Sequence, residues 1–288
     1  MNFDIIELNI NDNNYPENLK LIKNSPQKLY VLGNVSNLSE VGMAIIGSRS
    51  CSDVGRDNAR KFSYNLSKLG FVIISGMALG IDTAAHLGAL DAGGKTIAVL
   101  GSGFNNIFPK ENKKLFQRII ENGGTIVSEY LPNVEPSSEK FVQRNRIVSG
   151  LSSGVLIIEA KWRSGTSITA SFAKSQNKTI FCIAHGIDDN TGEGTNRLIK
   201  QGAKLVTEVA DIIKEFDFVE HKKIDKTTIQ PEIPEEYLKI YNAIKEGTNT
   251  SNEITKKIKA SIQEVNSALT ILELDNLIYN KQGRFYIK

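Results

Sequence analysis

The stretch MAIIGSRS, Met43–Ser50, joins a run of apolar residues to a turn that starts with glycine and carries an arginine. Five further apolar runs follow along the chain: FVIIS, TIAVLG, GTIVSE, GVLIIEA and TIFCIA. Such runs are typical of strands covered on both faces. Between them lie amphipathic segments, such as one in which Ala59, Phe62 and Leu66 recur at helical spacing. This alternation predicts an α/β fold, a Rossmann-like, doubly wound and mainly parallel sheet over residues 42–216.

The regions on either side of this domain have different patterns. Residues 1–41 are mostly polar and predict a short lead-in with a helical turn and an edge strand. Residues 217–234 contain two prolines and no useful periodicity, which is typical of a linker. Residues 235–288 show three helical patterns, with Ser251 and Ser261 at the expected N-caps, and then two short strands. Three small helices and a terminal hairpin predict a small C-terminal winged-helix domain.

The composition is that of an ordinary globular protein, with 40% hydrophobic and 23% charged residues in a chain of 288. No apolar run is long enough to span a membrane, and the acidic N-terminus does not resemble a secretory signal. With two cysteines and three histidines, neither a metal site nor a cofactor is expected. We expect Cys182 to be a small buried hydrophobe and the protein to be cytoplasmic. The net charge of +3 permits a polyanionic partner but does not require one.

The turn after the first strand contains residue types that bind anions. In doubly wound sheets ligands bind at the carboxyl ends of the strands. Gly47 allows close approach of the backbone, and amides near Ser48 at a helix start can face an anion. Arg49 adds a planar, permanently charged group that suits a phosphate. Taken alone, this turn is equally consistent with an ordinary structural turn.

The turn after the second strand, SGMALGIDTAAHLGAL, is also rich in glycine, but it has neither the GxGxxG spacing nor a Walker A lysine. Asp82 and His86 lie four residues apart, and we expect them to form a structural pair. Glu129 and Glu159 end later strands and could in principle act as acid and base. Because no nucleophile or metal cluster accompanies them, we do not expect catalysis.

The turn after the fifth strand offers a further phosphate site. Ser164, Gly165 and Thr166 open a helix, so that hydroxyls and free amides lie where a phosphate would bind. Lys161 and Arg163 are close by in the sequence. One such turn would suit a mononucleotide, whereas several along one sheet edge suit a chain of phosphates.

These segments occur in a characteristic order: GSRS, SGMALGIDTAAHLGAL, TIAVLGSGFNNIFPKEN, GGTIVSEY, FVQRNRIVSGLS, EAKWRSGTSITASFA and EGTNRLIKQGA. Together they resemble the DNA-processing protein A family (DprA, also called Smf), over about residues 15–216. The resemblance implies a non-catalytic protein that binds and protects incoming single-stranded DNA and loads the RecA recombinase during natural transformation. It also implies a homodimer formed through the Rossmann-like domain, and we expect the dimer interface near residues 207–216.

The resemblance also implies which residues contact DNA. The predicted contacts are Gly47, Ser48, Arg49, Lys140, Phe141, Arg144, Asn145, Arg146, Ser164, Gly165 and Thr166. Basic side chains and amides would hold phosphates, while an aromatic ring would stack on an unpaired base. In a helix Arg144 and Arg146 diverge by about 200°, so both reach one DNA path only if the segment begins irregularly. If one of them braces the fold instead, we favour Arg146.

Two residues depart from the family pattern. Val142 stands where the family usually has proline, which could loosen the approach of the preceding phenylalanine. His185 also replaces a proline, after the sixth strand. We expect His185 to be a harmless surface replacement rather than a phosphate contact.

Two other functions remain as alternatives. The fold resembles that of enzymes that hydrolyse the glycosidic bond of nucleoside monophosphates, and RSGTSITA keeps their phosphate turn but lacks their glutamate. A transcription regulator would read duplex DNA with the helix SIQEVNSALTILELDN, which carries acids and no lysine or arginine. Such a helix provides few phosphate contacts, although Lys281 and Arg284 on the wing could supply some. We therefore expect a protein-contact or regulatory role for the C-terminal domain.

Overall fold

The computed structural model describes residues 4–162, 164–216, 235–274, 277–281 and 283–287. The chain divides into two compact units at Lys223 and Ile224. The predicted linker 217–234 and Arg163 lie outside the described residues, as does part of the predicted terminal turn.

Nine strands form one sheet in the described part of the first unit. They are β1 (Ile6–Asn9), β2 (Lys28–Gly33), β3 (Gly42–Ile46), β4 (Val72–Ser75), β5 (Thr96–Leu100), β6 (Thr125–Ser128), β7 (Gly154–Ile157), β8 (Thr179–Cys182) and β9 (Lys204–Leu205). The helices of this unit are α1 (Glu17–Lys20), α2 (Asp53–Lys68), α3 (Ile81–Asp91), α4 (Lys113–Glu121), α5 (Ser138–Leu151), α6 (Gly165–Ser175), α7 (Glu193–Lys200) and α8 (Val209–Ile213). Two 3-10 helices span Val35–Ser39 and Lys110–Asn112.

The strand order, β1-β2-β6-β5-β4-β3-β7-β8-β9, confirms the doubly wound sheet. Strands β3 to β9 pair in parallel, and the chain runs outward from β3 to β6 before it returns to place β7 on the other side of β3. The reversal makes the crevice between β3 and β7 a topological switch point. Such crevices are where sheets of this kind bind ligands.

Both faces of the sheet are covered, which explains why the predicted strands are almost entirely apolar. On one face, side chains of β3 to β7 pack against α5 and α6 through residues such as Ile147 and Ala173. On the other, Ala98 and Leu100 of β5 pack against Phe116 and Ile119 of α4. Helix α2 begins at the N-cap Ser52, whose hydroxyl accepts the amide of Gly55. After its last turn Gly70 adopts a φ of +90°, the left-handed conformation with which a glycine commonly ends a helix.

The lead-in belongs to the sheet. It contains the expected helical turn, α1, but two strands rather than the single predicted edge strand. Strand β2 pairs antiparallel with β6, and β1 pairs antiparallel with β2. Only Leu8 of β1 is buried, so that strand carries too little apolar signal to be recognised in a polar region. Tyr15 and Leu19 join the core beside α5.

The second unit contains α9 (Glu235–Lys245), α10 (Ser251–Ile258), α11 (Ile262–Leu274) and an antiparallel pair, β10 (Ile278–Lys281) and β11 (Arg284–Ile287). This is the predicted order of elements, and its identification as a winged helix stays a prediction. Ser261 caps α11 in a reciprocal pair with Glu264, as expected. Ser251 does not cap α10, because Thr250 occupies that position and accepts the amide of Glu253.

Neither a membrane-spanning helix nor a metal-binding cluster is found among the described residues. None of their helices combines the length and the apolarity that crossing a membrane requires. Nor do three or more of their histidine, cysteine, aspartate and glutamate side chains lie together in a way that could hold a metal ion.

Candidate nucleic-acid interface

A pocket of about 360 Å³ lies at the carboxyl ends of β3, β4 and β7, in the crevice at the switch point. We call it the polar pocket. Its lining includes eight of the predicted contacts: Gly47, Ser48, Arg49, Arg144, Asn145, Ser164, Gly165 and Thr166. It also includes Gly76, Ala78, Asp82 and Lys161. Three strand ends that are distant in sequence therefore contribute to a single site.

The turn after β3 holds Arg49 toward solvent. The backbone carbonyl of Ser48 accepts the amide of Ile81 at 3.2 Å, which joins this turn to the start of α3. A side chain at Gly47 would meet Ile81 at 2.6 Å and the Glu159 carbonyl at 2.9 Å. Glycine is required here for packing against the protein rather than for close approach of a ligand.

Arg144 forms the floor of the polar pocket. Its Nη1 donates to the backbone carbonyls of Gly76 and Val99, and its Nε donates to Asn145 Oδ1 at 3.2 Å. A Cβ on Gly76 would lie 2.6 Å from the guanidinium, so only glycine leaves room for it. Burial lowers the pKa of Arg144 to about 10, while the nearby Asp82 charge acts in the opposite direction. Arg144 therefore stays protonated at neutral pH.

Asp82 and His86 do not form the predicted pair. The Asp82 carboxylate accepts the backbone amides of Gly76 at 3.1 Å and Ala78 at 3.3 Å, and burial raises its pKa. His86 Nδ1 lies 2.7 Å from the Thr96 hydroxyl, which itself donates to a backbone carbonyl, so Nδ1 carries the proton. Burial lowers the pKa of His86 to about 3. Both side chains find closer partners in neighbouring strands and turns than each other.

Arg146 lies apart from the pocket. Its Nη2 is 2.5 Å from Glu129 Oε1, and its Nε donates to the backbone carbonyl of Asn24 at 3.0 Å. The segment is regularly helical from Ser138, so the divergence expected for a helix separates Arg146 from Arg144. Arg146 thus ties α5 to the lead-in.

The two strand-end acids are occupied by structural contacts. Glu129 pairs with Arg146, while the fully buried Glu159 accepts the amide of Ser52 at 3.0 Å and also the Ser52 hydroxyl. Neither glutamate lines the polar pocket. Glu159 secures the start of α2, directly after the arginine turn.

The start of α6 presents donors to the polar pocket. Ser164 is the N-cap, but its side chain makes no cap bond, and its buried Oγ has no partner among the described residues. Gly165 is exposed and Thr166 is buried, and both line the pocket with Ser164. The first amides of a helix have no partner within the helix and favour an anion.

A second pocket, of about 300 Å³, adjoins the first and shares Arg49, Gly76, Ala78 and Arg144 with it. We call it the aromatic pocket, and its other lining residues are Leu79, Phe108, Pro109, Glu111 and Phe141. The rings of Phe108 and Phe141 lie 5.4 Å apart between centroids. Arg49 lies over the Phe141 ring, with Cζ 5.8 Å from the centroid. Phe141 is thus the ninth predicted contact that the structure brings to this edge.

Lys140, like Arg146, lines neither pocket. Its Nζ lies 5.9 Å from the centre of the Tyr130 ring. Val142 follows Phe141 on α5, is exposed, and does not prevent Phe141 from lining the aromatic pocket.

The expectation for His185 is wrong. Its side chain is only 9% exposed, with Nε2 at 2.8 Å from the Ile158 carbonyl and Nδ1 at 3.2 Å from Asp189. The imidazole joins the loop after β8 to the end of β7. His185 is therefore a structural side chain and not a surface replacement.

The sequence analysis placed Lys161 beside the phosphate turn but did not identify Leu79, Phe108 or Glu111 as lining residues. Phe108 and Glu111 come from the segment after β5, which entered the sequence analysis only within the motif TIAVLGSGFNNIFPKEN. The sequence did contain a signal. Phe108 and Pro109 lie in a loop that follows the carboxyl end of a predicted strand, and an aromatic side chain in such a loop indicates a ligand-binding position.

Known proteins are similar to this chain in both sequence and fold. DprA of Streptococcus pneumoniae is 44% identical over 207 residues, covering 72% of this chain and 73% of that protein. Its solved structure matches with a TM-score of 0.71 at 42% identity, covering 74% of this chain and 75% of the other. Protein Smf of Escherichia coli is 42% identical over 207 residues, covering 72% of this chain and 55% of that protein.

A further solved structure describes the single-stranded DNA binding mode of DprA from Helicobacter pylori. It matches with a TM-score of 0.67 at 32% identity, covering 74% of this chain and 95% of the other. Residues 7–217 match the family described as DNA recombination-mediator protein A, and the chain therefore belongs to that family.

Proposed function

We propose that this protein binds single-stranded DNA along the carboxyl edge of its sheet. In this role it acts as a recombination mediator that protects incoming DNA and loads RecA during natural transformation. The observation that carries the proposal is the adjacency of the polar and aromatic pockets, which share Arg49 and Arg144. A nucleotide needs both environments next to each other, one for its phosphate and one for its base.

The chemistry of the two pockets suits a single strand better than a duplex. Arg49, the amides at the start of α6 and the Ser164 hydroxyl would hold phosphates. The Phe141 ring would stack on a base, which requires the base to be unpaired and accessible. Phosphates and ring faces are common to all sequences, so this part of the site recognises the form of the strand.

The wider role is supported by family membership. The Helicobacter pylori relative, whose structure concerns single-stranded DNA binding, supports the choice of ligand. RecA loading and homodimerisation are carried over from the family resemblance, with the dimer interface expected near residues 207–216. A test of the RecA step is filament assembly on DNA coated with single-strand-binding protein, with and without this protein. Faster assembly supports loading, and an unchanged rate contradicts it.

We also propose that binding occurs without catalysis. Glu129 and Glu159 are held by Arg146 and Ser52, and Asp82, which lines the polar pocket, accepts two backbone amides. The hydrolases that this fold resembles carry a glutamate in their phosphate turn, and the corresponding segment RSGTSITA has none. Incubation with nucleoside monophosphates should therefore release no free base, and release would favour the hydrolase alternative.

Binding is best tested with a fluorescent single strand and a matched duplex across a salt series. We expect the single strand to bind more tightly than the duplex. The logarithm of its association constant should fall linearly with the logarithm of the salt concentration, with a slope of about −0.7 per phosphate contacted. Arg49→Ala should weaken binding and make the slope shallower, because it removes a cation that both pockets share. The matched control is Arg118→Ala, which removes an exposed arginine of α4 that lines neither pocket.

Two outcomes would contradict the proposed site. In the first, the protein binds duplex and single strand equally well. In the second, Arg49→Ala and Arg118→Ala weaken binding to the same extent, so that general positive charge and not the pocket holds the strand.

A further inference from the structure

We propose that the aromatic pocket reads the base it holds, with a preference for guanine over thymine that depends on Glu111. This inference rests on the proposed binding of single-stranded DNA and goes beyond it, because a site that only stacks bases would not distinguish them. The observations behind it are the apolar walls of the pocket, its two charged groups that have no ion-pair or hydrogen-bond partner among the described residues, Arg49 and Glu111, and the anchoring of Glu111.

The walls of the pocket suit the flat faces of a base. Phe108 is 47% exposed and Leu79 is 42% exposed, so the pocket that Phe141 lines presents apolar surface to solvent. Exposed side chains of this size grouped around one concavity are typical of a binding site. A strand whose phosphate occupies the polar pocket would bring the attached base to these walls.

Two opposite charges line this pocket without pairing to each other. Arg49 and Glu111 both lie in its wall, and in the part of the chain that the structure describes neither side chain makes an ion pair or a hydrogen bond. The pocket therefore offers a planar set of donors and a carboxylate acceptor to the same ligand.

Glu111 is held in place by its neighbour in the 3-10 helix Lys110–Asn112. Asn112 is buried, and its amide donates to the Met77 carbonyl at 2.8 Å and to the Thr83 hydroxyl at 2.9 Å. These bonds attach the 3-10 helix to the turn after β4, which supplies Gly76 and Ala78 to both pockets. The backbone of Glu111 is thus fixed relative to the site.

Guanine matches this pair of charges better than the other bases. Its N1–H and N2–H can donate together to one carboxylate, while its O6 and N7 accept from an arginine. Cytosine and adenine each offer one exocyclic amino group to the carboxylate. Thymine offers only N3–H, between two carbonyl oxygens that a carboxylate repels. The expected order of preference is guanine, then adenine and cytosine, then thymine.

The test measures competition between short oligothymidylates that carry one central guanine, one central hypoxanthine, or thymine throughout. Hypoxanthine is matched to guanine but lacks the N2 amino group. For the wild type we expect the guanine strand to bind about fivefold to tenfold more tightly than all-thymine, the low end of a bidentate base contact because Glu111 is exposed. The hypoxanthine strand should fall between them.

Glu111→Gln should reduce the guanine preference to less than about twofold, because a neutral amide cannot accept both protons. Glu135→Gln is the control, since Glu135 is also exposed and lies on the neighbouring loop surface with Phe108 but does not line the aromatic pocket. It should leave the preference unchanged.

The result separates this inference from the proposed function. If the wild type binds all three strands equally, and Arg49→Ala still weakens binding more than Arg118→Ala does, the base reading is wrong and the single-strand site stands. A guanine preference that survives Glu111→Gln also overturns the inference. If the wild type binds no single strand at all, both proposals are wrong.

Discussion

The turn Gly47–Ser50 and helix α5 both carry arginines predicted to contact DNA, but the fold uses them differently. Arg49 is exposed at the junction of two pockets and pairs with no carboxylate among the described residues. Arg144 and Arg146 are 5% and 7% exposed, and each has several hydrogen-bond acceptors from the protein. The number of donors still free, rather than the residue type, separates an arginine that is available to a ligand from one that braces the fold.

Helix α5 also differs along its own length. Its first turn places Phe141 in the aromatic pocket, whereas from Ile147 to Leu151 the side chains are buried in the core. Arg144 stands between these regions, in contact with the pocket and with the protein interior. If this contrast is correct, substitutions in the first turn of α5 should change the affinity for DNA. Substitutions nearer the end of the helix should change the free energy of unfolding.

The largest expected effect is that of Arg144→Met. The variant removes a positive charge near the buried Asp82 carboxylate and takes the guanidinium donor away from two backbone carbonyls, so we expect a loss of about 3–5 kcal/mol in the free energy of unfolding. Denaturant unfolding followed by circular dichroism measures it. Adding Asp82→Asn should recover part of the loss. An unchanged unfolding midpoint combined with lost DNA binding would place Arg144 with Arg49 and break the comparison.

His86, which is buried in α3, should make the fold sensitive to acid. Its pKa is about 3 in the folded protein and about 6.5 when unfolded, so between these values the unfolded state binds a proton that the folded state does not. Stability therefore falls as pH falls, by about 2 kcal/mol between pH 7 and pH 5.

The check is unfolding at several pH values for the wild type and for His86→Gln, which keeps a donor for Thr96. The variant should have a flatter profile between pH 7 and pH 5. Parallel profiles would mean that another group causes the acid sensitivity.

Glu129→Gln tests whether Arg146 serves the fold alone. Losing the charged partner of a largely buried arginine should cost about 1–2 kcal/mol of unfolding free energy. The affinity for a single strand should stay within about twofold of the wild type, since neither Glu129 nor Arg146 lines the polar or the aromatic pocket. Glu7→Gln is the matched control, because the Glu7–Lys28 pair is exposed and should contribute little. A large loss of affinity at normal stability would return Arg146 to the DNA site.

The smallest expected effect is that of Phe141→Leu. Leucine keeps apolar bulk but loses the ring face, so we expect about a fivefold weaker affinity and little change in stability, at the low end of base stacking on an aromatic side chain. Tyr64→Leu removes another exposed aromatic, on α2 and outside both pockets, and should leave affinity unchanged. Equal effects of the two substitutions would exclude stacking on Phe141.

The parallel core of the fold could be predicted from the sequence because burial on both faces leaves a continuous apolar run at each of β3 to β8. Strand β9 was not predicted, because Lys204–Leu205 is short and exposed and depends on pairing with β8. Strand β1 was not predicted for a similar reason, because it is mostly exposed and depends on pairing with β2. In both cases the strand is defined by its neighbour and not by its own composition.

The candidate site could be predicted where ligand chemistry lies within one short turn, as at Gly47–Arg49 and Ser164–Thr166. It could not be predicted where partners are distant. The bracing role of Arg146 depends on Glu129 and on Asn24, which is 122 positions away. The position of Glu111 depends on bonds from Asn112 to a turn 34 and 35 positions earlier. Contacts over such separations leave no periodic signal in the sequence.

The bonds from Arg144 to the Gly76 and Val99 carbonyls have a consequence for the cost of binding. One guanidinium holds the ends of two adjacent strands, so bonds within the protein fix the backbone of this part of the site. An incoming strand would lose its own freedom but would not have to order the protein beneath it. Amide hydrogen exchange at Gly76 and Ala78, whose N–H groups are held by Asp82, should then be slow before DNA is added and change little afterwards.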